Sequence, residues 1–417
     1  AAQGFIRRIA FLFLAALAVF ACVYPFLVQG EFSWLFSASL VLILGISTFF
    51  QYYFGITYGM LMEADQKIHI VYGIQMITNI LNTLFAALLI HLGGGIHMVK
   101  LGSALVFSLN PIWLWLYVKR HYDLRKDVPP EYGLIRQRWD AFAQDVAFFI
   151  HNNTDMMVLT ILSTIREVSV YTVHNFVLVN LRQVVVAFIN PFEAAFGDML
   201  ARKEMESARQ NLRIYETVVF LTTTILYSVA AVMIVPFVML YTKNVSDANY
   251  VRPAFAALMI IAGAFSCYRI PYKTIVDAAG HFRPLRKGAW VEAGLNIGLS
   301  VIAVSCWGLV GVALGTVAAT VFRATQYAIY LQKTIIHRKQ RIFAGRVALS
   351  LGTILLAILA GMLLLPSSPV SITGWIIQAV CTTLAVSVWT VITHLFFYRN
   401  DMVLVWQKLM QTIKRKR

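Results

Sequence analysis

Charged side chains are scarce in this chain of 417 residues. Asp, Glu, Lys and Arg together make up 13% of the sequence, whereas hydrophobic residues make up 59%. Soluble globular domains carry about 25% charged residues, so this composition excludes a soluble enzyme or a soluble binding module. The sequence is therefore expected to form an all-α polytopic membrane protein.

Cysteine and catalytic motifs are also scarce. The four cysteines lie inside apolar segments without Cys-x-x-Cys spacing, which indicates neither a disulfide framework nor a metal site. The sequence contains no HExxH, GxSxG or P-loop motif, and no long segment between apolar runs that could house a nucleotide site. We therefore predict that the protein is not an enzyme and holds no cofactor or metal.

Acidic residues are outnumbered. The chain has 19 Asp and Glu against 35 Lys and Arg, a formal net charge of +16. Such an excess can indicate nucleic-acid binding, but here the basic residues cluster in alternate gaps between apolar runs, at 119–138, 202–213, 283–287, 333–346 and 414–417. This pattern favours a topology signal over a nucleic-acid surface, and the positive-inside rule predicts that both termini are cytoplasmic.

Long apolar runs are what the sequence has in quantity. Runs of about 20 apolar residues predict twelve transmembrane helices. They lie near 9–28, 34–60, 70–92, 99–118, 142–163, 169–197, 214–240, 254–279, 289–307, 308–331, 347–366 and 373–397. The longest cytoplasmic linker contains Pro129 and Pro130, which cannot continue a helix, so we predict a boundary between two lobes there.

The predicted organisation has four parts. They are an N-terminal lobe at 1–126, a cytoplasmic inter-lobe linker at 127–141, a C-terminal lobe at 142–335, and two additional transmembrane helices with a basic amphipathic tail at 336–417. Apolar residues at helical spacing after Asn400, with Lys on the other face, indicate that this tail lies on the inner leaflet and binds anionic lipid. A frayed cytoplasmic tail is the alternative.

The eighth predicted span, 254–279, carries charge near the middle of the membrane. Arg269, Lys273 and Asp277 recur every four residues and so share one helix face, which must look at protein or water because charge facing lipid is costly. Pro271 lies between them and is expected to break the helix where the charge is displayed. The pattern is typical of a transport pathway.

Polar residues at helical spacing also occur in other spans, and two of these stripes match. The fifth span carries Gln144, His151, Asn152 and Asp155 on one face. Glu292, Asn296 and Ser300 in the ninth span match Gln75, Asn79 and Thr83 in the third at a constant offset. The second to fourth spans therefore look like a diverged copy of the eighth to tenth, which predicts two pseudo-symmetric lobes around a central cavity.

Three deep cations are the candidate substrate-binding residues: Arg182, Arg269 and Lys273. Few deep acids are available to pair with them, and a guanidinium can grip an anionic group with two hydrogen bonds. The alternative is structural pairing of Arg269 and Lys273 with an acid on a neighbouring helix, such as Asp155 or Glu292. Arg323 lies close enough to the cytoplasmic end to extend its head group to the interface.

Three acids are candidate coupling groups or structural partners: Asp155, Asp277 and Glu292. Asp155 either titrates during transport, with proton or sodium coupling, or balances Arg182 on the next span. A membrane glycosyltransferase would need paired carboxylates at a membrane face, for which Glu63 and Asp65 are the only hint.

Several motifs, taken in order, carry a family resemblance. They are Thr154-Asp-Met-Met-Val-Leu159, Glu167-Val-Ser-Val-Tyr171, Pro191 with Phe196-Gly197, Ala278-Ala-Gly-His-Phe282, Glu292-Ala-Gly-Leu-Asn296 and Gly308-Leu-Val-Gly-Val-Ala-Leu-Gly-Thr316. In this order and spacing, the chain resembles the polysaccharide-biosynthesis (Wzx-type) flippases of the multidrug/oligosaccharidyl-lipid/polysaccharide exporter superfamily.

The resemblance implies a function. Such a protein moves undecaprenyl-diphosphate-linked oligosaccharide across the bacterial inner membrane by alternating access, through a cationic cavity between two lobes, alongside polysaccharide polymerase machinery. A peptidoglycan-precursor flippase and a cation-coupled multidrug exporter of the same fold are the alternatives. Family members usually have two more spans before the first span found here, so we expect the chain to lack the family's first two helices.

Overall fold

The computed structural model describes residues 2–27, 33–123, 138–187, 191–364 and 371–415. Within these ranges the chain is α-helical and contains no strand. Ten of the described helical segments are long and apolar enough to cross a membrane, which confirms a multi-pass membrane protein. The predicted fifth and sixth spans are also long helices. They are not among these ten because their polar residues lower their mean hydropathy.

The chain divides into two compact units, Ala1–Arg136 and Gln137–Arg417. The described helices of the first unit are α1 (Ala2–Leu27), α2 (Trp34–Phe50), a π-helical turn (Gln51–Gly55), α3 (Ile56–Ala64), α4 (Ile68–His91) and α5 (Ile96–His121). A small core of Met62, Leu114 and Val118 holds α3 against α5. Most of the predicted linker 127–141 lies outside the described residues.

The second unit contains eleven described helices. They are α6 (Arg138–Leu162), α7 (Ile165–Ala187), α8 (Pro191–Ala201), α9 (Met205–Tyr241), α10 (Pro253–Tyr268), α11 (Ile270–Ala278), α12 (Phe282–Trp307), α13 (Leu309–Thr334), α14 (Arg341–Leu364), α15 (Ile372–Phe397) and α16 (Arg399–Arg415). The long helix α9 packs against α10, α14, α15 and α16. Stacked rings of Phe220 and Tyr268, 4.6 Å apart, join α9 to α10 in the core.

Each unit contains an interrupted helix followed by a helical hairpin. In the second unit, Arg269 separates α10 from α11, with Pro271 in the first turn of α11 as expected from its missing backbone donor. In the first unit, the π-helical turn from Gln51 separates α2 from α3, and such turns often mark functional positions. The hairpins α4–α5 and α12–α13 then follow, which is the order that the predicted repeat requires.

Both hairpins are closely packed at matching glycines. A Cβ added to Gly102 would lie 2.7 Å from Leu89 Cδ1 across the α4–α5 contact, and one added to Gly315 would lie 2.4 Å from Ser300 Oγ across the α12–α13 contact. Glycine at these positions lets the two helices of each hairpin approach. The glycine landmarks of the sequence repeat therefore have the same packing role in the two units.

The C-terminal tail forms a helix that is anchored to the second unit. Asp401, near the start of α16, accepts hydrogen bonds from Arg213 on α9 and Arg346 on α14. Val403 and Trp406 remain exposed on α16. The described part of the tail is thus a helix that is bound to the second unit near its start.

Candidate functional site

Two adjoining cavities lie among α6, α7, α10, α11, α12 and α13 of the second unit. Their volumes are about 330 Å³ and 280 Å³. They share a wall made of Phe148, Arg182, Ser266 and Arg269. We call the two together the polar groove.

The polar stripe of α6 faces this groove. Gln144 and Phe148 line the first cavity, and Phe148, His151 and Asp155 line the second. These four residues follow the spacing i, i+4, i+7 and i+11, so they fall along one side of the helix. Because one face of α6 carries polar residues, α6 is less apolar than the ten helices that are apolar enough to cross a membrane.

The interruption between α10 and α11 displays the central arginine. Arg269 lies at the junction of the two helices and is only 5% exposed, although its side chain lines both cavities. One turn further on, the side chain of Lys273 is 50% exposed and forms an ion pair with Asp277. The predicted face of Arg269, Lys273 and Asp277 therefore lines the first cavity.

A buried ion cluster surrounds Glu292 on α12. Arg269 Nη1 donates to Glu292 Oε1 at 2.7 Å, and Arg323 Nε lies 3.2 Å from Glu292 Oε2. His151 Nε2 is 3.9 Å from Glu292 Oε1. One carboxylate thus joins two guanidinium groups and an imidazole from α6, α13 and the α10–α11 junction.

Arg323 is a functional candidate that the sequence analysis placed wrongly. It does not extend to the interface: it is 3% exposed and lines the first cavity. Besides Glu292, it donates to the backbone oxygen of Leu285, to Gln326 and to Gln144. A signal was present in the sequence, because Thr316, Thr320, Arg323 and Tyr327 on α13 repeat the spacing of the α6 stripe.

Arg182 on α7 has a different environment. It lines both cavities but makes no ion pair or hydrogen bond with any residue that the structure describes. Its guanidinium carbon lies 5.9 Å from the centroid of the Phe148 ring, and that of Arg269 lies 5.7 Å from the same centroid. Both guanidinium groups therefore lie near the Phe148 ring, and the side chain of Arg182 is available to a ligand in the groove.

Asp155 is buried at the far end of the groove and is not the partner of Arg182. Its Oδ2 accepts hydrogen bonds from Thr316 at 2.7 Å and Tyr171 at 3.3 Å. Its Oδ1 is buried without a hydrogen-bond partner among the described residues, and so is Asn296 Oδ1. Asn296 donates to Thr316 at 3.3 Å, which places both free oxygens in one small polar cluster.

All six predicted site residues line the groove or its wall, but the charge pattern differs from the expected cationic cavity. The cations Arg182, Arg269, Lys273 and Arg323 are matched in number by Asp145, Asp155, Asp277 and Glu292. Sequence reasoning missed Asp145 and underestimated the deep acids. Of the cations, Arg182 and Arg269 both lie near the Phe148 ring, whereas Asp145 lines the first cavity and Asp155 the second.

The fold that carries this polar groove is similar to that of several solved membrane transporters. Solved structures with the same fold include the lipid II flippase MurJ in an inward closed conformation, with a TM-score of 0.63 and 15% identity over 96% of this chain and 84% of MurJ. The MATE transporter VcmN of Vibrio cholerae aligns with a TM-score of 0.61 and 14% identity over 82% of this chain and 80% of VcmN.

A multidrug resistance MATE family transporter in an outward-facing conformation has a TM-score of 0.56 and 15% identity, covering 83% of this chain and 78% of its own. No protein-family model and no curated protein sequence matches the chain. At these identities the likeness establishes the fold. It does not separate the Wzx-type family from other transporters of this fold.

Proposed function

We propose that this protein is a flippase that moves undecaprenyl-diphosphate-linked oligosaccharide across the bacterial inner membrane. The observation that carries the proposal is Arg182, a cation that faces the polar groove without a protein partner among the described residues, beside the cation Arg269. Unpaired charge inside a membrane protein is costly and is retained chiefly for function. An anionic ligand would complete its coordination.

The chemistry of a lipid-linked sugar suits such a groove. A diphosphate offers several oxygen acceptors, and a guanidinium can bind two of them at once. Lys273, half exposed in the first cavity, adds an ammonium group that is paired with Asp277. The sugar hydroxyls can hydrogen-bond to Gln144 and Asn152 in the groove wall, and only the polar end of the molecule needs this path while the polyprenyl tail stays in lipid.

Two related functions also have support. MurJ, which has the same fold, is a lipid II flippase, and a peptidoglycan precursor would present the same diphosphate to Arg182. The MATE transporters favour a cation-coupled multidrug exporter, and the buried free oxygens of Asp155 and Asn296 suit a proton or a sodium ion. Coupling through Asp155 is compatible with all three functions.

The proposed function also implies an orientation in the membrane and a place in polysaccharide synthesis. Both termini lie in the cytoplasm, as the distribution of basic residues predicts. The transported oligosaccharide is then delivered to polysaccharide polymerase machinery on the outer face of the inner membrane. Asp277 and Glu292 act as partners of the cations, Asp277 for Lys273 and Glu292 for Arg269.

The test is a charge series at Arg182. Removing one charge-assisted contact costs about 1.5–3 kcal/mol, so Arg182→Ala should lower affinity for the lipid-linked sugar roughly tenfold to more than a hundredfold. Arg182→Lys should retain part of the transport and Arg182→Glu the least, with protein levels unchanged. Arg252→Ala is the matched control, because Arg252 pairs with Glu167 at 3.0 Å and does not line the groove.

The assay measures translocation in vesicles that contain the purified chain and one substrate at a time. Translocation of undecaprenyl-diphosphate-linked oligosaccharide, with lipid II and cationic drugs transported poorly, is the expected result. Efficient transport of lipid II or of drugs would assign one of the two related functions instead. Wild-type transport by a well-expressed Arg182→Glu variant would exclude an anion site at this position.

A further inference from the structure

Glu292 occupies a central position among the cations of the groove. Glu292 is 3% exposed, and each of its two carboxylate oxygens contacts a different arginine. Oε1 accepts from Arg269 at 2.7 Å, and Oε2 lies 3.2 Å from Arg323. The other described contacts of Arg323 are to neutral groups. Within the described residues, Glu292 is thus the sole anion paired with either guanidinium.

The cluster is not saturated by this one carboxylate. Two guanidinium groups face a single negative charge, and Arg269 Nε is buried without a hydrogen-bond partner among the described residues. Both arginines line the first cavity, where a ligand can reach them. An incoming anion would therefore meet cations that are partly but not fully neutralised.

We infer that Glu292 is a positioning residue that limits how tightly the groove holds an anion. Its carboxylate competes with the ligand for Arg269 and Arg323, and it takes back both guanidinium groups when the ligand leaves. A transporter needs this weakening, because a ligand held by several unpaired arginines would bind tightly and be released slowly. This inference rests on the proposed function for its role in transport.

The neutral variant Glu292→Gln separates this role from a purely structural one. Glutamine keeps nearly the same size and one acceptor oxygen but removes the competing charge. Competition predicts at least about tenfold tighter anion binding, the size expected for one charge-assisted contact, together with a lower KM and a lower kcat for transport. A purely structural role predicts unfolding or weaker binding.

A second buried carboxylate provides the matched control. Glu216 on α9 is fully buried and does not line the groove. Its carboxylate lies between Arg338 and Arg346, much as Glu292 lies between its two arginines. Glu216→Gln removes the same charge from a similar cluster. It should lower the thermal stability of the protein and leave anion affinity unchanged.

The experiment titrates the purified full chain in detergent with inorganic diphosphate at fixed ionic strength, by calorimetry, and records thermal unfolding alongside. The wild type should bind weakly, Glu292→Gln at least tenfold more tightly, and Glu216→Gln like the wild type. The double variant Glu292→Gln/Arg323→Gln, which restores the charge of the cluster, should return to near wild-type affinity. Failure of Glu292→Gln to fold would indicate the purely structural role instead.

Equal or weaker diphosphate binding by folded Glu292→Gln would overturn the inference, as would an absence of binding by both the wild type and this variant. Double-variant affinity still tenfold tighter than wild type would do the same, because charge would then not be the cause. Failure of the proposed function gives a different result. A chain that flips no lipid-linked sugar but shows this affinity pattern would contradict the proposed function, while Glu292 would still compete with the anion for the two arginines.

Discussion

Arg269 Nη1 donates to Glu292 Oε1 over 2.7 Å, and both side chains are almost completely buried. The sequence left two roles open for Arg269: it could bind the substrate or pair with an acid on a neighbouring helix. The contact with Glu292 shows that Arg269 is paired with an acid. Arg269 also lines the groove, so a ligand there could still contact it. Arg182, which lacks such a partner among the described residues, is therefore the cleaner test of anion binding.

The first prediction concerns this pair. Arg269→Ala removes one guanidinium from Glu292 and leaves it with Arg323 and, at 3.9 Å, His151. The cost should be substantial but below the about 3–5 kcal/mol of a buried charge left without any partner. We expect a clear fall in the thermal unfolding temperature and in the amount of protein in the membrane. Arg269→Ala/Glu292→Gln should not recover the loss, because Arg323 then loses its anionic partner within the described residues.

Lys273→Ala is the control for this prediction, since Lys273 is half exposed and its exposed ion pair contributes at most about 1 kcal/mol. It should leave stability nearly unchanged. The stability of Arg269→Ala is measured by unfolding of the purified protein. A wild-type value would show that the contact with Glu292 does not stabilise the fold.

The second prediction is a pKa outside the membrane spans. Asp65 accepts hydrogen bonds from Lys67, at 2.8 Å, and from Tyr122, and these contacts hold the pKa of its carboxyl below the ordinary value of 3.8. Because the folded pKa is lowered, the ionised contact stabilises this turn above the ordinary pKa and is lost as pH falls through the folded pKa. Stability should thus be affected only in strongly acidic solution.

Carbon-13 NMR of the Asp65 carboxyl measures this directly. The titration midpoint should lie below 3.8 in the wild type and move up in Lys67→Gln, with a smaller shift in Tyr122→Phe, in the order of the two causes. A midpoint at or above 3.8 in the wild type would mean that the turn does not hold these three side chains together.

The third prediction concerns the anchor of α16. Asp401 accepts from Arg213 Nε at 2.8 Å and from Arg346 Nη2 at 2.5 Å, and Arg346 is fully buried. Asp401→Asn should destabilise the second unit and increase protease cleavage within α16, because Arg346 loses its charged contact with Asp401. The cost should stay below the about 3–5 kcal/mol of a buried charge left without any partner, since Glu216 lies 3.9 Å from Arg346. The exposed pair of Asp198 and Arg202 supplies the control Asp198→Asn, with an expected change within about 1 kcal/mol. Resistance of α16 to protease in Asp401→Asn would argue against the anchor.

Helical periodicity explains which parts of the site were predictable from sequence. Charged and polar residues that recur every three or four positions must share a helix face, and in a membrane that face has to turn away from lipid. The stripe on α6 and the face of Arg269, Lys273 and Asp277 were predicted this way, and both line the groove. The break near Pro271 was predictable because proline lacks a backbone donor.

Pairing between helices was not predictable, because periodicity fixes a face and says nothing about which neighbour that face meets. Asp155 was interpreted either as a coupling group or as the partner of Arg182, but it bonds to Thr316 and Tyr171. Arg323 was assigned by its distance from a span end, although the stripe on α13 turns it inward to Glu292. These contacts join α6 to α7 and α13, and α13 to α12, so they depend on how neighbouring helices pack.

The fourth prediction is topological. If the basic gaps are cytoplasmic, the loop around Ser246 is outside and the start of α9 around Glu206 is inside. Single cysteines at these two exposed positions, in a background without the four native cysteines, should differ in labelling by a membrane-impermeant thiol reagent in intact cells. Labelling at 246 and protection at 206 is expected, and the reverse pattern would invert the orientation.

The last prediction assigns coupling to Asp155. Its Oδ1 and Asn296 Oδ1 are both buried without hydrogen-bond partners among the described residues, and Thr316 connects the two side chains. Such paired oxygens can receive a proton or a sodium ion, and a carboxylate that alternates between bound and free forms can couple ion entry to transport.

Asp155→Asn keeps the shape of the side chain and can still accept from Thr316, but it cannot ionise. In vesicles with an imposed proton or sodium gradient, applied separately, this variant should lose the response of transport to one gradient while inorganic diphosphate binding in the groove stays within about twofold of the wild type. Glu167→Gln is the control, since Glu167 lies on the neighbouring helix α7 and pairs with Arg252 away from the groove. It should respond to both gradients like the wild type. A full gradient response in Asp155→Asn would assign coupling to a different group and leave Asp155 as a structural partner of Thr316 and Tyr171.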